Sequence, residues 1–321
     1  MLSASRPLPV WRSLLFVPAN VRKYVEGAAA AAADAIILDL EDSVPADEKG
    51  SARAAVAAAI PIVSACGADV LVRINRPLDL AVRDIEAVVS TRVAALMIPK
   101  VDSAAHLRLL AELVLSVELR QGMEPGHTRL YALVETVQAF ERLHEIAAAD
   151  PRMVAITCGG EDLTAELGAL PEADVLLAPR QQVVFAARAA GILPLGVLGR
   201  TTSFRDLEGL RAGARDGRRF GMAGAPCIHP SQVAILNECF SPTPVELASA
   251  RRVVDAYDAA LATGRGSVAL DGRMLDVPVV ARAQRLLSVA ERIAAAEGLR
   301  ERQGQQDSAV QARARADCSS P

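Results

Sequence analysis

Two carboxylates, Glu135 and Asp162, each follow a short apolar run: Leu130-Tyr-Ala-Leu-Val134 precedes the first, and Val154-Ala-Ile-Thr-Cys158-Gly-Gly precedes the second. A buried strand that ends on an acid delivers its charge to the rim of a sheet or barrel, where two acids share a divalent cation instead of repelling each other. The pair therefore reads as a Mg²⁺ site, with Mn²⁺ able to stand in its place. A third acidic group, Leu38-Asp-Leu-Glu-Asp-Ser-Val44, also closes an apolar run. Taken alone it is a solvated loop with a helix cap. In the company of Glu135 and Asp162 so many carboxylates call for a cation, and Glu41 and Asp42 suit the holding of metal-bound waters.

Cations accompany these acids. Arg73 lies inside Val70-Leu-Val-Arg-Ile-Asn75, where its planar fork either pairs with a buried acid or grips a substrate carboxylate beside the metal. Lys100, in Met97-Ile-Pro-Lys-Val101, either contacts substrate or neutralises the acidic cluster. Gly159-Gly160-Glu161-Asp162 forms a turn whose backbone can approach a ligand and offer N–H groups to a carboxylate or carbonyl oxygen. The histidines have no partner at ligand spacing, and His229 in Cys227-Ile-His-Pro230 reads as a structural hydrogen bond. No Ser/His/Asp elbow, P-loop or dinucleotide fingerprint occurs.

The elements that must position these residues alternate. Short β-branched runs (13–17, 35–38, 70–74, 95–98, 130–134, 154–158, 193–197 and 225–228) are separated by alanine- and leucine-rich segments with helical spacing. Eight such units predict an α/β fold, a (β/α)₈ TIM barrel over residues 11–240, close to the roughly 250 residues usual for that fold. Its active face lies at the C-terminal strand ends, where the polar residues gather. A C-terminal helical and hairpin extension follows over 241–299, with an Asp271-Gly272 turn. Residues 300–321 read as a disordered polar tail.

Composition bounds the partners. Of 321 residues, 51% are hydrophobic and only 3% aromatic, so the core is aliphatic, and a net charge of −3 without a basic stripe argues against nucleic acid. No run approaches a membrane span, and Met1–Arg12 is too short in apolar residues and too rich in proline for a secretory signal, so the expected location is the cytoplasm. Five cysteines, Cys66, Cys158, Cys227, Cys239 and Cys318, include no CxxC pair and read as reduced thiols.

Seven motifs in order carry a resemblance: Arg12-Ser-Leu-Leu-Phe-Val-Pro18, Leu38-Asp-Leu-Glu-Asp-Ser-Val44, Val72-Arg-Ile-Asn75, Ile98-Pro-Lys-Val101, Val134-Glu135, Gly159-Gly-Glu-Asp162 and Cys227-Ile-His-Pro-Ser-Gln-Val233. Over residues 11–295 the chain resembles the citrate lyase β-subunit-like CoA ester lyases of the HpcH/HpaI aldolase superfamily, nearest in pattern to malyl-CoA and citramalyl-CoA lyases. The resemblance implies a Mg²⁺-dependent barrel that makes or breaks a carbon–carbon bond next to a CoA thioester, releasing acetyl- or propionyl-CoA and a 2-oxo acid such as glyoxylate or pyruvate. It implies Glu135 and Asp162 as metal ligands and Arg73 as the grip on the oxo-acid. Gly272-Arg-Met-Leu-Asp-Val-Pro278 resembles a segment placed over a neighbouring subunit's site, its Asp276 an acid/base; the other reading of Asp276 is a helix cap. Phe16, Arg22 and Lys23 resemble a CoA-contacting segment, and the overreaching extension implies a homotrimer or a multiple of it.

One loop departs from the pattern: Pro194-Leu-Gly-Val-Leu-Gly-Arg-Thr-Thr202 lacks the acid that many relatives carry there, so it gives no guide to substrate. The alternatives are a citryl-thioester lyase β chain working on a carrier protein, a CoA-independent metal aldolase, and a non-catalytic scaffold subunit. The last of these binds no Mg²⁺.

Overall fold

In the computed structural model, which describes residues 7–199, 203–264 and 266–317 but not the side chains of 273 and 301–317, the β-branched runs become eight strands. They are β1 (Ser13–Pro18), β2 (Ala35–Asp39), β3 (Asp69–Arg73), β4 (Val93–Ile98), β5 (Arg129–Val134), β6 (Met153–Cys158), β7 (Leu193–Leu195) and β8 (Ala225–Cys227). The order β7-β6-β5-β4-β3-β2-β1-β8 is parallel throughout. A parallel bridge from Leu195 to Gly224, with Gly196 N donating to the Gly224 carbonyl at 2.8 Å, brings the two edges together. This is the (β/α)₈ barrel expected from the alternation.

Helices cover the outside: α1 (Arg22–Ala29), α2 (Lys49–Ser64), α3 (Leu78–Val88), α4 (Ala104–Arg120), α5 (Val137–Glu141), α6 (Leu143–Ala147), α7 (Gly160–Leu167), α8 (Leu177–Ala190), α9 (Leu207–Phe220) and α10 (Pro230–Phe240). Because strand side chains alternate between faces, each strand serves two cores. Ile36, Leu38, Val70 and Val72 point outward into the layer shared with the helices. Ala35, Ile37, Leu71, Met97, Tyr131 and Leu133 point inward, with Trp11 and Leu14, and fill the barrel. Small alanines set against tryptophan, tyrosine and methionine let this interior close without aromatic excess.

Closure needs a glycine. A Cβ on Gly224 would collide with the Trp11 carbonyl oxygen and lie 2.8 Å from the Arg12 Cα, so only a bare backbone passes between β1 and the β7 edge. Beside it, the buried Arg12 guanidinium meets Asp34 at 2.9 Å through both Nε and Nη2. The strand at 193 stops at Leu195, two residues short of the expected end, because Gly196 has φ 148° and turns its N–H toward the closing bridge.

A second compact unit spans Ser241–Arg302. Its first helix, α11 (Pro244–Ala262), opens on a capping box between Thr243 and Glu246. The hairpin β9 (Val268–Leu270) and β10 (Arg273–Leu275) turns at Asp271 and Gly272, whose φ of 48° and 74° are the left-handed pair that such two-residue turns require. The last helix, α12 (Val277–Asp317), continues well past Leu299, where the sequence reading ends it and expects disorder. Glu, Arg, Gln and Ala in that stretch are good helix formers, and they carry the helix on. Among the described residues no helix is long and apolar enough to cross a membrane, and Cys66, Cys158, Cys227 and Cys239 are free thiols.

Gly224→Ala should therefore cost about 3 kcal/mol or more of stability in urea unfolding. Gly50→Ala, where an added Cβ meets nothing within 4 Å, should change it by no more than about 0.5 kcal/mol. Equal effects would show that barrel closure does not depend on the bare backbone at 224.

Candidate active site

The two-residue period that fills the barrel also delivers its charges. On β2 the inward positions are 35, 37 and 39; on β3 they are 71 and 73; past β5 the series 131, 133 continues to 135. Each thus ends in a charged residue at the C-terminal mouth. Asp39 and Arg73 are direct partners in the β2–β3 register, and the guanidinium forks onto the carboxylate, with Nε to Oδ1 and Nη2 to Oδ2 both 2.7 Å. Burial opposes the charge on Asp39, but the Arg73 fork and N–H donors from Ser43 and Glu41 outweigh it and hold the carboxyl below its usual range. The Phe16 ring lies under the same guanidinium, 4.9 Å from its Cζ.

Arg73 Nη1 reaches Glu41 at 2.9 Å, and Lys100 Nζ meets the other oxygen of Glu41 at 3.0 Å. Asp42 is more exposed and lies 3.7 Å from Arg73 and 3.6 Å from Lys100. Burial raises the pKa of Glu41 even with both cations beside it, since Asp42 adds repulsion. Lys100 takes a left-handed backbone at φ 48°, a conformation that costs a non-glycine residue roughly 1 kcal/mol. Its two ends explain why it stays there. The backbone N–H donates to Glu135 Oε1 at 2.9 Å, while the ammonium holds Glu41.

Glu135 is only 4% exposed. Burial first, then the adjoining Asp162 and more distant Glu41, push its carboxyl up to about 8 despite the Lys100 N–H. A Cβ on Gly159 would strike Glu135 Oε2, so the glycine is what lets the β6 end pass beside this acid. After it, Gly160 opens α7 and places Glu161 and Asp162 in the first turn, where the helix dipole favours negative charge. Among the described residues no three His, Cys, Asp or Glu side chains are grouped to hold a metal ion. A hard cation such as Mg²⁺ needs no more than one or two carboxylates, completing its shell with water and substrate oxygens. One buried acid of raised pKa beside one exposed acid at the cavity wall meets that requirement.

Phe16, Asp42, Arg73, Glu135, Gly160, Glu161 and Asp162 line one cavity of about 280 Å³. Glu41 and Lys100 join that group through Arg73 and Glu135. Arg22 and Lys23 are not among the cavity's lining residues; both are exposed on α1, Arg22 pairing with Glu26 at 2.7 Å. Asp276 lies in the second unit at the start of α12, exposed, its Oδ1 accepting the Val279 N–H at 3.3 Å as a cap does. His229 turns to its own loop, with Nδ1 2.8 Å from Ser231 Oγ. The Cys158 thiol also faces the cavity, but burial pushes its pKa up to about 12, which leaves it a neutral lining group.

Two residues escaped the sequence reading. Asp39 sat in the acidic run without a role of its own, and Arg180 was passed over entirely. Arg180 belongs to the buried stripe Arg180, Val183, Val184 and Ala187 of α8. A charge at a helical i, i+3, i+4, i+7 position among aliphatics is the signal that marks it.

Residues 12–230 match the family model described as HpcH/HpaI aldolase/citrate lyase. The citrate lyase subunit beta of Leuconostoc mesenteroides subsp. cremoris is 34% identical over 87% of this chain and 93% of its own length. The (3S)-malyl-CoA thioesterase of Cereibacter sphaeroides (strain ATCC 17029 / ATH 2.4.9) is 36% identical over 89% of this chain and 96% of its own. Among solved structures, the protein CitE from Mycobacterium tuberculosis in complex with magnesium, acetoacetate and coenzyme A superposes with a TM-score of 0.69 at 35% identity, covering 87% of this chain and 97% of that one.

The raised pKa of Glu135 sets a test. Between the ordinary glutamate value of 4.5 and about 8, the folded protein holds a proton that the unfolded chain has lost, so metal-free stability falls as pH rises through that window. Glu135→Gln removes the titration. Without metal it should melt several degrees above the parent near pH 8 and converge with it near pH 4.5 in thermal-shift measurements. A parent that melts higher at all pH values would contradict the assignment.

Proposed function

The chain belongs to the HpcH/HpaI aldolase/citrate lyase family, and from that premise we propose that it is a Mg²⁺-dependent CoA ester lyase. Its reaction is the reversible cleavage of a 3-hydroxy-3-carboxyacyl-CoA to an acyl-CoA and a 2-oxo acid. The observation that carries the reading is the pair Glu135 and Asp162 beside the Arg73–Asp39 fork at the barrel mouth. The M. tuberculosis structure is a complex with magnesium, acetoacetate and coenzyme A, ligands of the classes such a site must hold together.

Glu135 and Asp162 hold the ion; when bound, it supplies Lewis-acid polarisation of the substrate's hydroxyl and adjacent carboxylate, a contribution of several kcal/mol. Arg73 keeps Nη1 and Nη2 protons beyond those given to Asp39 and Glu41, and turns them to the substrate carboxylate. Its orientation is set by Asp39 before substrate arrives, so little ordering is left for the bound state. Lys100 steadies Glu135 through its backbone N–H and Glu41 through its ammonium. Asp42 and Glu41 orient water at the acidic side.

The bond from the carbinol carbon to the thioester α-carbon then breaks. Its electron pair leaves as the thioester enolate while the hydroxyl gives its proton to the water oriented by Asp42 and Glu41 and becomes the carbonyl of the 2-oxo acid. Asp276, from another copy in a homotrimer or a multiple of it, protonates the enolate carbon, so one proton is lost and one gained. In the reverse direction Asp276 takes that proton and the carbon attacks the oxo-acid carbonyl. The half-buried Phe16 and the exposed Arg22 and Lys23 serve the thioester's nucleotide side.

Release of acetyl-CoA or propionyl-CoA from malyl-CoA, β-methylmalyl-CoA, citramalyl-CoA and citryl-CoA, with and without Mg²⁺, tests this directly. At least one should be cleaved with the metal, and Glu135→Gln or Asp162→Asn should lower kcat by roughly a thousandfold. Asp276→Ala should keep thioester binding while abolishing deuterium exchange at the acetyl-CoA methyl. Unimpaired Mg²⁺-dependent cleavage in Asp162→Asn would remove the metal assignment, and equal loss of binding and exchange in Asp276→Ala would make that residue a cap alone.

A further inference from the structure

Among the described residues two guanidinium groups, Arg73 and Arg180, line the cavity, and their surroundings differ. Arg73 is committed on three sides, Nε and Nη2 to Asp39 and Nη1 to Glu41. Arg180 is 8% exposed, and its Nη1 is buried with no hydrogen-bond partner. Among the described residues no carboxylate forms an ion pair with it; Glu161 acts only through its field, and the neighbouring Cys158 is a neutral thiol. A buried cation left in this state is costly, by several kcal/mol in general.

The fold nevertheless builds a place for it. Arg180 starts the buried stripe of α8, and its Nη2 lies over Gly160, 3.3 Å from where a Cβ would stand, so the glycine leaves room for the guanidinium at the opening of α7. Two residues on is Asp162, the proposed metal ligand. Gly196, Val197, Gly199 and Pro226 add no charge to the cavity wall, and Glu161, the carboxylate whose field reaches Arg180, forms no ion pair with it.

A planar fork with free N–H donors in a water-poor wall is complementary to a carboxylate. The carboxylate next to the oxo group is already accounted for by the metal and Arg73. We propose that Arg180 binds a second carboxylate on the oxo-acid half of the substrate, making the product a dicarboxylic 2-oxo acid in preference to glyoxylate or pyruvate. This assignment rests on the lyase reading above and narrows its substrate class. Selectivity here has a strong physical basis, because an oxo-acid without the second charge leaves Arg180 buried and unpaired, and sites built to satisfy such groups discriminate far better than apolar pockets do.

The test is calorimetric binding to the full-length protein with Mg²⁺, using freshly dissolved oxaloacetate, 2-oxobutyrate as its four-carbon match with a single carboxylate, and pyruvate. The parent should bind oxaloacetate at least tenfold more tightly than 2-oxobutyrate. Arg180→Met should collapse that ratio to near one, and Arg180→Lys should keep part of it. Thermal melting separates this from a packing role: with an unpaired buried charge removed, Arg180→Met should melt no lower than the parent. A parent that does not distinguish the two acids overturns the assignment whatever the variants do, and so does an Arg180→Met protein that weakens all three acids equally. If no oxo-acid binds in a Mg²⁺-dependent way, the lyase reading itself falls and takes this assignment with it.

Discussion

The bidentate pair between Asp39 and Arg73 fixes the mouth of the barrel, and the remaining charges are arranged from it. Strand register sets the two side by side, and each then orients a further group. Asp39 receives the Glu41 and Ser43 N–H groups and so shapes the loop after β2. Arg73 holds Glu41, Glu41 holds Lys100, and the Lys100 backbone N–H holds Glu135. A continuous line of charge-assisted contacts thus runs from β2 to β5 around the open end, ending at the acid beside Asp162. Such bonds are stronger and more directional than neutral ones, which is why a left-handed lysine is tolerated in the middle of the line.

The line is not electrically balanced. Asp39, Glu41, Asp42, Glu135 and Asp162 face Arg73 and Lys100, and the excess of negative charge is greatest where Glu135 is most buried. Its raised pKa expresses burial first and then the repulsion of Asp162 and Glu41. A divalent cation at Glu135 and Asp162 would relieve it, and the two acids are enough for an ion that completes its shell from water and substrate. Arg180 is the opposite case in the same cavity, a positive group lacking its anion. One cavity therefore carries crowded negative charge at one point and an unpaired positive group at another, and a metal with a carboxylate-bearing ligand would compensate both.

Much of this was legible in the sequence because period-two alternation is written in residue order. The strand runs, the inward acid at 135 and the hairpin turn at Asp271-Gly272 follow from local rules, and Asp162 follows from the Gly-Gly turn that opens α7. Partnerships do not. That Arg73 is engaged by Asp39, leaving only its remaining protons for a ligand, depends on which strands are neighbours and in what register. The Lys100 contact to Glu135 is made by the backbone, which the side chain's identity does not encode, and its φ of 48° has no glycine to announce it. Arg180 was hidden for another reason: α8 packs four positions of one stripe inward, and a single arginine among aliphatics reads as noise until the cavity behind it is seen. At 300–317 polar composition suggests disorder while Glu, Arg, Gln and Ala favour helix, and α12 runs through that stretch.

The central claim is that Glu135 and Asp162 together hold a divalent ion, and an anomalous-scattering map from crystals of the protein soaked in Mn²⁺ tests it most directly. The account predicts one strong peak within about 2.2 Å of an oxygen from each of the two carboxylates, in the range expected for such ligands. A peak among Asp39, Glu41 and Asp42 with none at Glu135 and Asp162, or no peak in the cavity, would contradict it.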